Sequence, residues 1–231
     1  MTSRLVNLIR PFAGDALHWA RALKAELGAV VAGDRRAAKF AEYGAGSVIV
    51  YPPGPMFGQH HMALGARTLI GPNVSLVVGM SPDEPMHTRD ADGVALRLGD
   101  RVTIGRGSSI AARWSVVIED DVMTGPDVYI TDHDHAYGDL DVPIGLQWPT
   151  CAAVRIGAGS WLGTGVVVLP GADIGRHVVV AASSVVRGHI PDNCVIAGVP
   201  AKVVRHHDGT DWVPPLSVPV EGTPQPPSWP V

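Results

Sequence analysis

Between Ile156 and Pro191 an aliphatic residue recurs at every sixth position: Ile156, Leu162, Val168, Ile174, Val180 and Val186. The next residue is small at Gly157, Gly163, Gly175 and Ala181, with Leu169 and Arg187 as departures. The fifth position of each hexad is small or β-branched: Ser160, Val166, Ala172, Val178, Ser184 and Ile190. A period of six fits neither the helical period nor plain strand alternation. It predicts a short strand plus a tight corner, repeated so that the chain winds into a triangular coil. The leading aliphatic points inward and the following glycine makes the sharp turn.

The same ladder extends upstream. Hexads start at Leu64, Ile70 and Leu76, with a weaker match before them around GAGSVIVYPPG. Residues 81–97 break the period and carry Asp83, Glu84, Asp90 and Asp92, so they predict an excursion. The pattern resumes at Leu98, Ile104 and Ile110, slips by two residues through RWSVV, and continues at Ile118, Thr124 and Ile130. A second interruption spans 134–153. Residues 1–43 form an N-terminal segment whose apolar spacing (Leu17, Ala20, Leu23, Leu27, Val30, Val31) predicts one or two helices against the start of the coil. Residues 206–231 hold seven prolines and little periodicity, and predict an extended Pro-rich C-terminal tail. The expected organisation is an all-β solenoid over 44–205 with loops at 81–97 and 134–153, flanked by these two appendages.

Composition narrows the function classes. Gly and Pro make about a fifth of the 231 residues, which suits a turn-rich solenoid. A net charge of −4 gives no reason to expect a nucleic-acid partner. No apolar run reaches membrane-spanning length and the N-terminus lacks the core of a signal peptide, so a cytoplasmic protein is expected. Cys151 and Cys194 make no disulfide framework and show no metal-ligand spacing.

The stretch IGAGSWLGTGVVVLPGADIGRHVVVAASSVVRGHIPDNCVIAGVPAKVVR resembles the C-terminal signature of hexapeptide-repeat acyltransferases, and is most similar to their galactoside and maltose O-acetyltransferase branch. The matching elements are W-[IL]-G, L-P-G, I-G, A-x-S-x-V, I-P-x-N and A-G-x-P-A-x-x-[IV]-R. This resemblance implies a left-handed parallel β-helix, a hand that the repeat alone does not declare. It also implies a homotrimer with sites between subunits, and acetyl-CoA as acyl donor.

Acetyl transfer from a thioester needs a base, donors for the oxyanion and a cleft that holds both substrates. An imidazole suits the base because it titrates near working pH. The segment ITDHDHAYGD offers His133 and His135 among Asp132, Asp134 and Asp139, where the ladder breaks into its second loop. Hexad register, with Ile130 leading, makes His135 the sixth residue, the place of the catalytic histidine in the galactoside-type enzymes. A match on the local acidic-residue–His pair selects His133 instead. Asp132 is a candidate to orient the base, and aspartates at turns also serve the backbone.

Carried over from the family residue by residue, donor contacts fall on Thr164, Ala182, Arg187, Lys202 and Arg205. Arg187-Gly188 departs from the usual Thr-Lys. The asparagine that helps hold the sugar in the galactoside enzymes has no counterpart near Gly105. Tyr137 and Trp148 are the acceptor-wall candidates, for a saccharide-like acceptor. Competing readings are an N-acetyltransferase on an amino sugar or other amine, a γ-type carbonic anhydrase, and a non-catalytic scaffold. The anhydrase needs three converging histidines, two of them five apart, which His133 and His135 do not supply. No metal is expected.

Overall fold

The computed structural model describes residues 2–81 and 86–215, with side chains from residue 14 onward. Short parallel strands follow one another in threes. Val154–Ile156, Trp161–Leu162 and Val167–Val168 lie on three different sheets, and Asp173–Ile174 returns to the first. We call these the seven-stranded face 1, the ten-stranded face 2 and the six-stranded face 3, in the order the chain visits them. Each strand of the coil thus pairs with the strand one coil away, as in Ile156 beside Ile174 and Leu162 beside Val180. The coil begins with Glu42–Tyr43 on face 1, so the weak match at GAGSVIVYPPG is a full turn.

The core is the inside of this coil. All six leading residues from Ile156 to Val186 are buried, and so are the fifth-position residues Ser160, Val166, Ala172, Val178 and Ser184. Each buried Val, Leu or Ile contributes about 1.5–3 kcal/mol by leaving water. The fifth-position serines stay satisfied by bridging coils: Ser160 donates to the Gly175 carbonyl at 3.1 Å and accepts from the Val178 N–H at 3.0 Å.

The second-position glycines serve a purpose other than the expected sharp turn. A Cβ on Gly163 would stand 2.7 Å from the Ala182 nitrogen, and one on Gly157 would stand 2.5 Å from the Gly175 carbonyl carbon. Close stacking of coils excludes a side chain there. The left-handed corner conformation falls two residues later, at Gly159, Gly165, Gly171, His177 and Ser183.

Three ladder irregularities share one corner. The chain leaves face 3 after Ser75–Val78, Ser109–Ala112 and Tyr129–Thr131 on three consecutive coils. The first departure is the acidic excursion, the second is the two-residue slip through Arg113-Trp114-Ser115, and the third is the long loop. The first loop rejoins face 1 at Leu96, earlier than Leu98, because Leu96–Leu98 pairs with both neighbours. The second loop opens as an antiparallel pair of His133–Asp134 with Thr150–Cys151.

The ends differ from expectation. One helix, Thr2–Gly28, falls within the expected one or two, whereas Val30–Val31, counted in the helical spacing, form a strand antiparallel to Val48–Ile49. Leu17, Trp19 and Leu27 are exposed, and the helix meets the coil at Tyr51, whose ring lies 5.6 Å from Lys24 Nζ. After the last coil strand, Cys194–Gly198, the chain doubles back as Ala201–His207 and then Trp212–Val213, both antiparallel on face 2. The start of the expected tail is therefore sheet; residues 216–231 lie outside the described residues. Among the described residues no helix is long and apolar enough to cross a membrane.

Candidate active site

The corner between faces 3 and 1 carries the strongest chemistry. Ile130 leads its hexad, is buried and pairs with Val168, so the register of this strand is as expected. Two residues later Asp132 is fully buried. Its carboxylate accepts three backbone N–H groups of the coil before it. Arg113 donates at 2.9 Å, Trp114 at 2.8 Å and Ser115 at 2.7 Å. These are the residues of the two-residue slip: the extra chain length frees consecutive N–H groups from the ladder and turns them onto one acceptor.

The remaining bond of that carboxylate goes to His133, whose Nδ1 lies 3.0 Å from Asp132 Oδ1. A carboxylate only accepts, so the imidazole proton belongs on Nδ1, which leaves the Nε2 lone pair as the basic site. Thr131 Oγ1, 3.3 Å from the same Nδ1, adds a second restraint. His133 is partly buried and lines a cavity of about 160 Å3 with Met80, Tyr129, Asp134, His135 and Pro149. His135 shares that cavity. It is exposed, and its ring is held by no hydrogen bond among the described residues. The sixth-position count presumes a continuing coil, whereas the chain has already left it when the His133–Asp134 strand forms.

On the far side of Pro149, a cavity of about 200 Å3 is lined by Met86, His87, Arg113, Trp114, Trp148 and Cys151. Trp148 reaches it by lying over the Arg113 guanidinium at 4.7 Å. Tyr137 is 74% exposed and lines neither cavity. Gln147 is occupied internally, bonding Asp139 and Val142 to hold the loop's own shape.

The donor candidates fall elsewhere on the chain. Thr164 and Ala182 are exposed and stack along the corner between faces 2 and 3, where the Ser183 N–H donates to the Thr164 carbonyl at 2.9 Å. Lys202 follows the turn that ends the last strand at this corner and pairs with Ala197. Arg187 instead sits at the corner of His133, two coils on. Arg205 is turned into the C-terminal hairpin, where its Nε donates to the Pro214 carbonyl at 2.7 Å and its guanidinium lies 5.5 Å from the Trp212 ring. Within one chain, then, His133 and the pair Thr164 and Ala182 flank opposite ends of face 3. Among the described residues no group of three His, Cys, Asp or Glu side chains is gathered to hold a metal.

A fold of three parallel faces wound on hexads matches a known class. The family model for bacterial transferase hexapeptides, six repeats, matches residues 153–188. The putative lipopolysaccharide biosynthesis O-acetyl transferase WbbJ of Escherichia coli K12 is 41% identical over 133 residues, 50% of this chain and 68% of that protein. The galactoside O-acetyltransferase of the same organism is 32% identical over 119 residues, 49% of this chain and 58% of that protein. Among solved structures, an AntD variant, an N-acyltransferase from Bacillus cereus in complex with dTDP and coenzyme A, superposes with TM-score 0.60 at 14% identity. That likeness covers 76% of this chain and 90% of the other and concerns the fold. The chain spans between 37% and 68% of the length of the first curated relatives it matches. It belongs to the hexapeptide-repeat transferase family.

Proposed function

We propose that this protein is an acetyl-CoA-dependent O-acetyltransferase that uses His133 as general base on a hydroxyl of a saccharide-like acceptor. The observation that carries the reading is the Asp132–His133 pair, a buried carboxylate aligned by three backbone N–H groups and bonded to Nδ1. In the reaction, Nε2 takes the proton of the acceptor hydroxyl as its oxygen attacks the thioester carbonyl. The tetrahedral intermediate collapses with cleavage of the C–S bond, and the proton held on His133 passes to the leaving thiolate. His135 shapes the acceptor cavity, and Asp132 positions the base without itself changing protonation.

The family likeness supports a left-handed coil and a homotrimer. The donor corner, with Thr164, Ala182 and Lys202, would then meet the His133 corner of a neighbouring subunit. Two observations support that assembly: the base and the donor residues sit at different corners of one chain, and the outward row of face 2 is largely apolar. Leu69, Met123 and Trp161 in that row are 43–49% exposed, whereas face 1 presents Arg155, Asp173 and His189. Trp148 and the cavities flanking Pro149 form the acceptor wall. The test is an acceptor panel of sugars, amino sugars and simple amines with acetyl-CoA, followed by thiol release. Turnover on hydroxyl acceptors is expected; turnover on amines alone would overturn the O-acetyl assignment.

A further inference from the structure

The third corner, between faces 1 and 2, lies apart from His133 and holds a cavity of about 630 Å3. That volume is within the range of small-molecule sites. The C-terminal strands build it. Ala201–His207 runs back along face 2 until the His207 N–H bonds the Asn193 carbonyl at 2.9 Å, and Trp212 then folds over the corner.

The side chains gathered there have a definite chemistry. The His177 and Trp212 rings are near-parallel, 29° apart, with centroids separated by 6.5 Å. Both rings line the cavity and offer it aromatic surface. His207 stands edge-on to Trp212 at 5.5 Å and accepts the Gly209 N–H at its Nδ1. Its proton is therefore on Nε2, a hydrogen-bond donor. Arg176 is exposed, and its guanidinium makes no ion pair among the described residues. Of the two carboxylates of the cavity, Asp121 is held bidentate by Arg101, and Asp192 accepts the backbone N–H of Arg176 at 2.8 Å through Oδ1. The donors facing the cavity are the Arg176 guanidinium and the His207 Nε2–H, beside its aromatic surface.

We propose that this corner binds a phosphate-bearing heteroaromatic ligand of the mononucleotide class, its ring against the aromatic surface of His177 and Trp212 and its phosphate at Arg176 and His207. Arginine suits the phosphate because its planar fork makes paired charge-assisted bonds. The site shares no residue with the His133 corner, and its ligand is either a separate nucleotide or the nucleotide end of the donor.

The test is tryptophan emission of the full chain titrated with AMP and, separately, with inorganic phosphate. AMP is expected to quench saturably, and Trp212→Phe to abolish that signal. Arg176→Ala is expected to weaken AMP binding about tenfold, the loss of about 1.4 kcal/mol, with unchanged melting temperature. Phosphate is expected to compete with AMP without quenching. His133→Ala should bind AMP as the wild type does. Two sources carry this chemistry, and a titration at saturating coenzyme A separates them. Loss of AMP binding, together with a raised acetyl-CoA KM in Arg176→Ala, assigns the site to the nucleotide end of the donor. Undiminished AMP binding assigns it to a separate nucleotide. No Trp212-dependent quenching up to about 10 mM AMP, or quenching indifferent to Arg176→Ala, overturns the proposal.

Discussion

Replacing Asp132 by asparagine changes one atom in the proposed site and tests its wiring. In the wild type Oδ2 accepts from Trp114 at 2.8 Å and Ser115 at 2.7 Å, while Oδ1 accepts from Arg113 at 2.9 Å and faces His133 Nδ1 at 3.0 Å. The carboxamide keeps its oxygen where two N–H groups already point, at the Oδ2 place. Its NH2 then replaces Oδ1 and donates to His133, so the imidazole proton must move to Nε2 and the basic nitrogen is lost. The same NH2 opposes the Arg113 N–H, leaving a buried donor poorly paired at a cost of about 1–3 kcal/mol. Turnover is therefore expected to fall by about 10²–10⁴, the range spanned by general-base loss and a wrong tautomer, with KM for acetyl-CoA nearly unchanged. The assay is thiol release at saturating donor, alongside thermal unfolding to register the modest stability loss. An Asp132→Asn enzyme with more than about a third of wild-type turnover would refute the tautomer argument.

Three further outcomes follow from the geometry. Gly163→Ala is expected to destabilise the coil by about 1–3 kcal/mol, since overpacking forces stacked backbones apart, and its Cβ would meet the Ala182 nitrogen at 2.7 Å; chemical denaturation with an unchanged midpoint would disprove the stacking reason for that glycine. Lys202→Ala should raise the donor KM severalfold while Arg205→Ala leaves it unmoved, because Arg205 is bonded to Pro214; equal effects would return Arg205 to the donor site. Asp173 is held below the ordinary carboxylate range, chiefly by its hydrogen bond to His189 and then by Arg155. A lowered folded value means stability that is present above the unfolded carboxylate pKa and lost as pH falls through the folded one. Asp173→Asn should therefore melt lower than wild type at neutral pH and converge with it in acid; a gap that persists at low pH would contradict the assignment.

The coil was legible because its period is local. Ile156, Leu162 and their successors repeat within one strand and corner, and each is buried as the ladder requires. What that period could not express was the relation between coils. Gly163 reads as a turn residue until the next coil is laid 2.7 Å away. The slip at RWSVV was visible, but that it presents three N–H groups to Asp132 depends on stacking one coil against the next. Counting hexads therefore favoured His135, while the local acidic-residue–His pair pointed to the residue that the carboxylate holds. His177, His207 and Trp212 meet only because the chain after Gly198 reverses onto face 2, and that reversal interrupts a region read as an extended tail. The apolar spacing of the N-terminal segment is helical as far as Leu27, but Val30 and Val31, counted in the same spacing, form a strand beside Val48–Ile49, a pairing that depends on the coil being present.

The most direct test of the central claim is the pair His133→Ala and His135→Ala, assayed for thiol release from acetyl-CoA with the best acceptor of the panel. His133→Ala is expected to lose at least about a hundredfold in turnover and His135→Ala less than about tenfold, with changes mainly in acceptor KM. A crippled His135→Ala beside a near-normal His133→Ala would contradict the account, because the imidazole aligned by Asp132 would not be the one that takes the proton.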